Sequence, residues 1–238
     1  MTSGHEIEGM RVISTGNTEV DDKLGGGIPT GSLMLIEGQS ESGKSVMVQQ
    51  MIWGSLQDGA TVMLYTSENT MKSFIRQMNS LALDILDMLL LRRLRILEVS
   101  TQRSGMEPKE IFQMLLDSMR ADRVSDLIVV DSLTTFLTKS SSEDALAYFE
   151  DCRDICKDGR TVINVTNSYA FDNTTLARLL SMCDAHLGLR VEEVGEQFVK
   201  ILEVSKIRGA SKTTGNIVTF DIEPNMGIRI IPISKAKA

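Results

Sequence analysis

The sequence predicts one α/β domain, with a mainly parallel central sheet, helices on both faces and an antiparallel extension at its C-terminal end. Three observations carry that expectation. Strand-like and helix-like hydrophobic patterns alternate from residue 33 onward, as they do when each strand returns to the same sheet through a helical crossover. A turn rich in glycine and serine, Gly38-Gln39-Ser40-Glu41-Ser42-Gly43-Lys44-Ser45, joins the first of those strands to the first of those helices. From about Ala185 the helices give way to successive short strands separated by turns, the texture of an antiparallel meander continuing one sheet edge.

In order along the chain, strands are expected at Leu33 to Glu37, Thr61 to Thr66, Leu94 to Val99, Asp126 to Asp131 and Arg160 to Thr166. Helical spacing fills the gaps at Lys44 to Gln57, Thr70 to Leu91, Pro108 to Arg120, Ser142 to Lys157 and Thr174 to Met182. The Ser-Ser-Glu-Asp run ending at Asp144 reads as a capped helix start, and Asp58-Gly59 and Asp158-Gly159 read as stops. Turns in the last third are expected at Glu192 to Glu196, Gly209 to Gly215 and Pro224 to Gly227.

At 238 residues, with no stretch resembling a long linker, the chain is expected to form a single domain over 1–238. Its net charge of −7 opposes duplex binding unless a local basic stripe overcomes the overall field. The cationic clusters are Arg92, Arg93 and Arg95, which read as cations closing a helix C-terminus, and the tail lysines Lys235 and Lys237. The most apolar run, Leu81 to Leu91, is interrupted by Asp84 and Asp87, so no membrane span is expected. The N-terminus, with His5, Glu6 and Glu8, does not read as a secretion signal, and a cytoplasmic location is expected. Cys152, Cys156, Cys183 and His186 offer four zinc-type ligands, but without knuckle glycines they read better as buried thiols and a satisfied histidine.

The Gly38–Ser45 spacing is the one that wraps a polyphosphate. Glycines let successive backbone N–H groups turn toward a phosphate, Lys44 reaches the outer oxygens from a solvent-facing loop, and Ser45 is placed for Mg²⁺ where the next helix begins. The nucleotide contacts are therefore expected from Gly38, Gln39, Ser40, Glu41, Ser42, Gly43, Lys44, Ser45 and Val46, with ATP and Mg²⁺ as cofactors. Asp126-Leu-Ile-Val-Val-Asp131 delivers a carboxylate to the end of a buried strand, where it can hold the water shell of the metal ion. Glu68, ending the strand after the phosphate-loop helix, is either the group that orients an attacking water or an acid favoured by a helix dipole. Lys206 and Arg208 alternate onto one face of an extended strand, to meet a phosphate or a neighbouring subunit, or simply to protect a solvated edge.

Together these residues resemble the RecA/KaiC branch of P-loop ATPases. The opening stretch from Ser14 through Asp21 and Gly27 to Gly31 resembles that branch's segment leading into the phosphate loop. More narrowly, the chain resembles the archaellum-motor FlaH (ArlH) family, single KaiC-like domains from archaea. Its specific carriers are Leu24 to Gly31, Ser181 to Leu187, Val204 to Gly215 and the ending from Gly227 through Pro232 to Ala238. The resemblance implies a RecA/KaiC-like fold, ATP on Gly38 to Ser45, Mg²⁺ with Ser45 and Asp131, and Glu68 at the catalytic carboxylate position. KaiC proteins carry two glutamates there, whereas Asn69 follows Glu68 here, which implies weak or absent hydrolysis. Lys206 and Arg208 match a pair that reaches a neighbour's nucleotide, which implies a hexameric ring. The implied partners are the motor ATPase and the membrane platform protein of the archaellum, with the chain peripheral to the membrane. Two other functions compete: an active ATPase using Glu68 as base, and a DNA-handling recombinase relative. The second is disfavoured because Ser132 to Ser142 has one lysine and Asn167 to Thr174 has no cation.

Overall fold

The computed structural model describes residues 6–7, 10–99, 105–194, 197–212 and 216–231. The expected tail from Pro232, with Lys235 and Lys237, lies outside the described residues. So do His5 and Glu8 near the N-terminus, residues 195–196 of one turn and residues 213–215 of another.

Two short strands, β1 (Glu6–Ile7) and β2 (Met10–Ile13), pair with β3 (Ile28–Pro29) in a small antiparallel sheet at the start of the chain. Between them lies α1 (Thr18–Lys23), capped by Asn17, whose side chain accepts from the Glu19 and Val20 amides. Asp21 is buried and holds the segment before α1 in place. It accepts from Ser14 Oγ at 2.7 Å and from Thr15 through both its backbone N–H and its hydroxyl at 2.8 Å.

The crossover units follow as β4 (Leu33–Gly38), α2 (Lys44–Gln57), β5 (Val62–Thr66), α3 (Met71–Ser80), α4 (Leu86–Leu90), β6 (Leu94–Glu98) and α5 (Pro108–Ala121). Then come β7 (Leu127–Asp131), α6 (Thr134–Leu137), α7 (Ser142–Cys156), β8 (Thr161–Asn167), α8 (Asn173–Met182) and four last strands. These are β9 (Ala185–Val194), β10 (Gln197–Ile207), β11 (Ile217–Glu223) and β12 (Gly227–Ile231). The nine-stranded sheet has the order β12-β11-β10-β9-β4-β8-β7-β5-β6. Strands β9 through β6 in that order are parallel, and β10, β11 and β12 extend the β9 edge in antiparallel register.

Alternation along each strand assigns its residues to two cores, as both-face coverage requires. Met34, Ile36, Leu64, Val129 and Ile163 pack with α2, α3 and the last strands. Leu33, Leu35, Tyr65, Val130 and Val162 pack with α5, α7 and α8. All three cysteines belong to the second side and are buried free thiols. Burial pushes each thiol up to about 12, which keeps it protonated and chemically quiet at neutral pH.

Every expected strand of the parallel set forms within about a residue of its predicted limits. One helix does not. The run Thr70 to Leu91 divides into α3 and α4, because Leu81, Leu83 and Ile85 are all buried while Ala82 and Asp84 are exposed. Burying every second residue breaks the helical period, and Ala82 turns the chain with a φ of 58°. Asp84 then accepts from the Leu86 amide at 3.1 Å to begin α4. A second difference is α6, a short helix inside a segment read only as a loop, held by the buried Phe136 and Leu137. The arginine cluster does serve helix ends, but not the end of the helix before it. Arg93 donates to the Leu56 carbonyl in the last turn of α2 and to the Ala60 carbonyl just past it, and Arg95 pairs with Asp122 at the end of α5 at 2.8 Å.

Candidate nucleotide site

The parallel strands end together, so the loops that follow them share one rim. Register places Gly38 opposite Asn167, and Asp131 opposite both Thr66 and Val165. A cleft of ≈ 320 Å³ opens on that rim, and its walls include Ser40, Glu41, Gly43 to Ser45, Glu68, Asp131, Ser132 and Asn167, with Val46 and Ile222 as apolar surface.

The phosphate-loop geometry follows from two glycines. A Cβ on Gly38 would sit 2.1 Å from the Leu189 carbonyl oxygen, so β9 can pass this close only because residue 38 has no side chain. Gly43 begins α2 with a φ of 96°, and a Cβ there would press against Phe220 and Ile222 of β11. No side chain caps α2, so the amides of its first turn remain available to an anion where the helix dipole is positive.

Lys44 is not solvent-facing, contrary to expectation. It is 9% exposed, and its ammonium donates to the Gly38 carbonyl at 3.0 Å, the Gln39 carbonyl at 2.6 Å and Asn167 Oδ1 at 2.8 Å. Burial lowers its pKa, while the charges of Asp131, Glu68 and Glu37 act in the opposite direction. Asp131 is 5% exposed. Burial, then the charge of Glu68, pushes its carboxyl up to about 6 against the opposing hydrogen bond from Ser45 and the charge of Lys44. Two hard oxygen donors, Ser45 and Asp131, therefore meet where negative charge is in excess, a donor set suited to Mg²⁺ shared with phosphates and water.

Glu68 lies on the rim with one oxygen 2.6 Å from Ser132 Oγ. Asn69 turns away from the cleft: its Oδ1 accepts from Ser73 at 3.3 Å and from Gln77 at 3.0 Å. Lys206 and Arg208 stand at the other end of the sheet. Lys206 pairs with His186, which lies beside Leu35, whereas the phosphate loop begins beside Leu189. Lys206 donates to the Leu180 and Cys183 carbonyls at 3.0 and 2.6 Å, closing the C-terminal end of α8, and Arg208 pairs with Asp184 at 3.2 Å. Three residues of strand span roughly 10 Å, so neither cation reaches the phosphate loop of its own chain.

Sequence reasoning missed Asn167, Ser132 and Ile222. Asn167 carried a signal, a polar residue ending an apolar strand in a phosphate-loop protein. Ser132 stood next to Asp131 without a pattern of its own, and Ile222 arrives from a strand far along the chain.

The sequence matches the family described as "ATPase: KaiC" over residues 13–235. The chain belongs to the KaiC family. Within it, this KaiC-family chain is 29% identical to the archaeal flagellar ATP-binding protein FlaH of Sulfolobus acidocaldarius, over 95% of this chain and 100% of the relative. It superposes on the crystal structure of the flagellar accessory protein FlaH from Methanocaldococcus jannaschii with a TM-score of 0.79. That match has 25% identity and covers 94% of this chain and 99% of the other. A KaiC-like protein of Pyrococcus horikoshii gives a TM-score of 0.75 at 19% identity, covering 94% and 100%, a likeness of fold. The narrower resemblance to FlaH thus extends over nearly the whole KaiC-family chain.

Proposed function

We propose that this chain is an ATP-binding component of the archaeal flagellar motor, acting through nucleotide occupancy more than through turnover. The carrying observation is the convergence of the uncapped α2 N-terminus, Lys44, Ser45 and Asp131 on one cleft. In this reading Gly38 to Val46 hold the phosphates, and Ser45 and Asp131 hold Mg²⁺, the latter through water. The metal ion, when bound, neutralises charge on the phosphate oxygens. Lys44 has three donors, all engaged by Gly38, Gln39 and Asn167, so phosphate binding competes with these partners for the same hydrogens.

Slow hydrolysis is supported by the two side chains after β5. Glu68 accepts a hydrogen bond from Ser132 at 2.6 Å, which engages one of its oxygens away from an attacking water. Asn69 has no basic group and is committed to α3. The competing reading, an active ATPase with Glu68 as base, keeps one observation in its favour, that Glu68 faces the cleft.

Lys206 and Arg208 cannot serve their own nucleotide, which favours their serving a neighbour's in a hexameric ring. By likeness to FlaH, that ring engages the motor ATPase and platform protein from the cytoplasmic side, peripheral to the membrane. Among the described residues no helix is long and apolar enough to cross a membrane. The test is binding of a fluorescent ATP analogue with Mg²⁺ or with chelator, alongside turnover alone and with the motor ATPase. Mg²⁺-dependent binding with turnover far below about 10 s⁻¹ is expected. Absence of binding overturns the reading, and a rate near that value favours the ATPase.

A further inference from the structure

Four hydrogen bonds join the phosphate-loop lysine to the rim carboxylate along the strand ends of the sheet. Lys44 Nζ donates to Asn167 Oδ1 at 2.8 Å, and the Asn167 backbone N–H donates to Thr134 Oγ1 at 2.9 Å. Thr134 Oγ1 and Ser132 Oγ are 3.1 Å apart, and Ser132 Oγ is 2.6 Å from Glu68 Oε1. A hydroxyl has one proton to give. The Ser132 proton is taken by the carboxylate, which can only accept, so the Thr134 proton goes to Ser132 and the Asn167 amide proton to Thr134. The last three bonds then point the same way, from the Asn167 amide through both hydroxyls to Glu68, and the two hydroxyls polarise one another, while Lys44 joins this run through the position of the Asn167 side chain. Thr134 and Ser132 are 5% and 3% exposed, so water does not compete along this stretch.

The same segments are also tied at the backbone. The Ser67 amide donates to the Asp131 carbonyl at 3.1 Å, Ser67 Oγ donates to the Ser132 carbonyl at 2.8 Å, and the Leu133 amide donates to the Val165 carbonyl at 2.8 Å. The ends of β5, β7 and β8 are therefore tied together, with the two hydroxyls as the side-chain connection.

The geometry points to Ser132 and Thr134 as positioning residues that report the state of Lys44 and Asn167 to Glu68, so that a nucleotide's terminal phosphate sets the placement of that carboxylate. This rests on the reading of the cleft as an ATP site. A phosphate that draws Lys44 donors away from Asn167 frees the far end of the chain, and the shift passes through Thr134 and Ser132 to the segment carrying Glu68.

Hydrogen–deuterium exchange on the full chain, with Mg·ATP, with Mg·ADP and without nucleotide, tests the relay, and affinity is measured beside it. In the wild type, ATP is expected to change exchange in the 66–70 and 131–137 peptides severalfold more than ADP does. Thr134→Val is expected to keep ATP affinity within about threefold and lose the change at 66–70, and Thr134→Ser to restore it. Ser132→Ala breaks the chain one step nearer Glu68 and is expected to lose the same response. A wild type that binds ATP with no change at 66–70, or a Thr134→Val protein that keeps the full change, overturns the relay alone. A wild type that does not bind ATP overturns the functional reading as well. Should Thr134→Val not fold, the contrast between Ser132→Ala and wild type decides the matter by the same criterion.

Discussion

At the scale of single residues, Lys44 and Asp131 show how burial alters the meaning of a motif. Lys44 is packed and triply hydrogen-bonded, so Lys44→Met, which keeps most of the stem, is the informative change. Losing a charge-assisted bond to phosphate costs roughly 1.5–3 kcal/mol, so ATP affinity is expected to fall about ten- to hundredfold. Circular dichroism checks that the fold persists, and titration with a fluorescent nucleotide reads the affinity. Asp131 carries a carboxyl raised from 3.8 to about 6 in the folded chain. The folded state therefore binds more protons than the unfolded state between those values, and stability drops as pH rises through that window. Asp131→Asn removes the buried charge and is expected to stabilise the chain, without nucleotide or Mg²⁺, by up to roughly 3 kcal/mol at pH 7.5 and by nothing below pH 4. Denaturant titrations at the two pH values measure it. Asp122 has the opposite sign. Burial would raise its carboxyl, but Ser125 and Arg95 hold it below 3.8, so its contribution is present at neutral pH and is lost in acid.

At the scale of elements, the break between α3 and α4 is set by three buried side chains, Leu81, Leu83 and Ile85, in the non-helical turn that joins them. Leu83 is 5% exposed, and Leu83→Ala is expected to destabilise by about 2–5 kcal/mol, measured by chemical denaturation. On a continuous exposed helix the same change would be close to neutral or slightly stabilising, because alanine is the better helix former. The other decisive element is β10, whose last residues cap α8. In the proposed ring, Arg208 exchanges or shares its Asp184 contact for a neighbour's phosphate, linking assembly to nucleotide. Arg208→Ala is expected to bind ATP as the wild type does while its ATP-dependent association weakens about ten- to hundredfold. Light scattering with and without Mg·ATP reads this. Identical mass distributions, from a wild type that does assemble, remove the role in trans.

At the scale of the whole molecule, a ligand that binds only the folded chain raises its stability by mass action. ATP at about a hundred times its dissociation constant adds about 2.7 kcal/mol, which for a chain of this length unfolding as one unit raises Tm by roughly 5–10 °C. Lys44→Met is expected to lose most of that shift at the same ATP concentration. The overall charge of −7 and the loop compositions also predict weak, unsaturable binding of DNA at physiological salt. A sub-micromolar, ATP-dependent affinity measured by fluorescence anisotropy would instead support the recombinase-like alternative.

By itself the sequence determined the local features: which runs are strands, where the phosphate loop bends, and which carboxylate ends the buried strand β7. These are legible because they depend on period, on glycine at Gly38 and Gly43, and on short spacings that survive without neighbours. The run from Thr70 to Leu91 was misread because helical spacing and alternate burial look alike over a few leucines until the core chooses between them. Only the tertiary structure decided that Asn167 meets Lys44, that Ser132 and Thr134 connect that pair to Glu68, and that Ile222 from β11 walls the cleft. Lys206 and Arg208 were visible as a pair, but their distance from their own phosphate loop required the register of β10 on β9 and of β9 on β4. The physical reason is common to these cases. Hydrogen-bond partners drawn from strands far apart in sequence are selected by sheet order and register, which the whole chain sets through burial of both sheet faces.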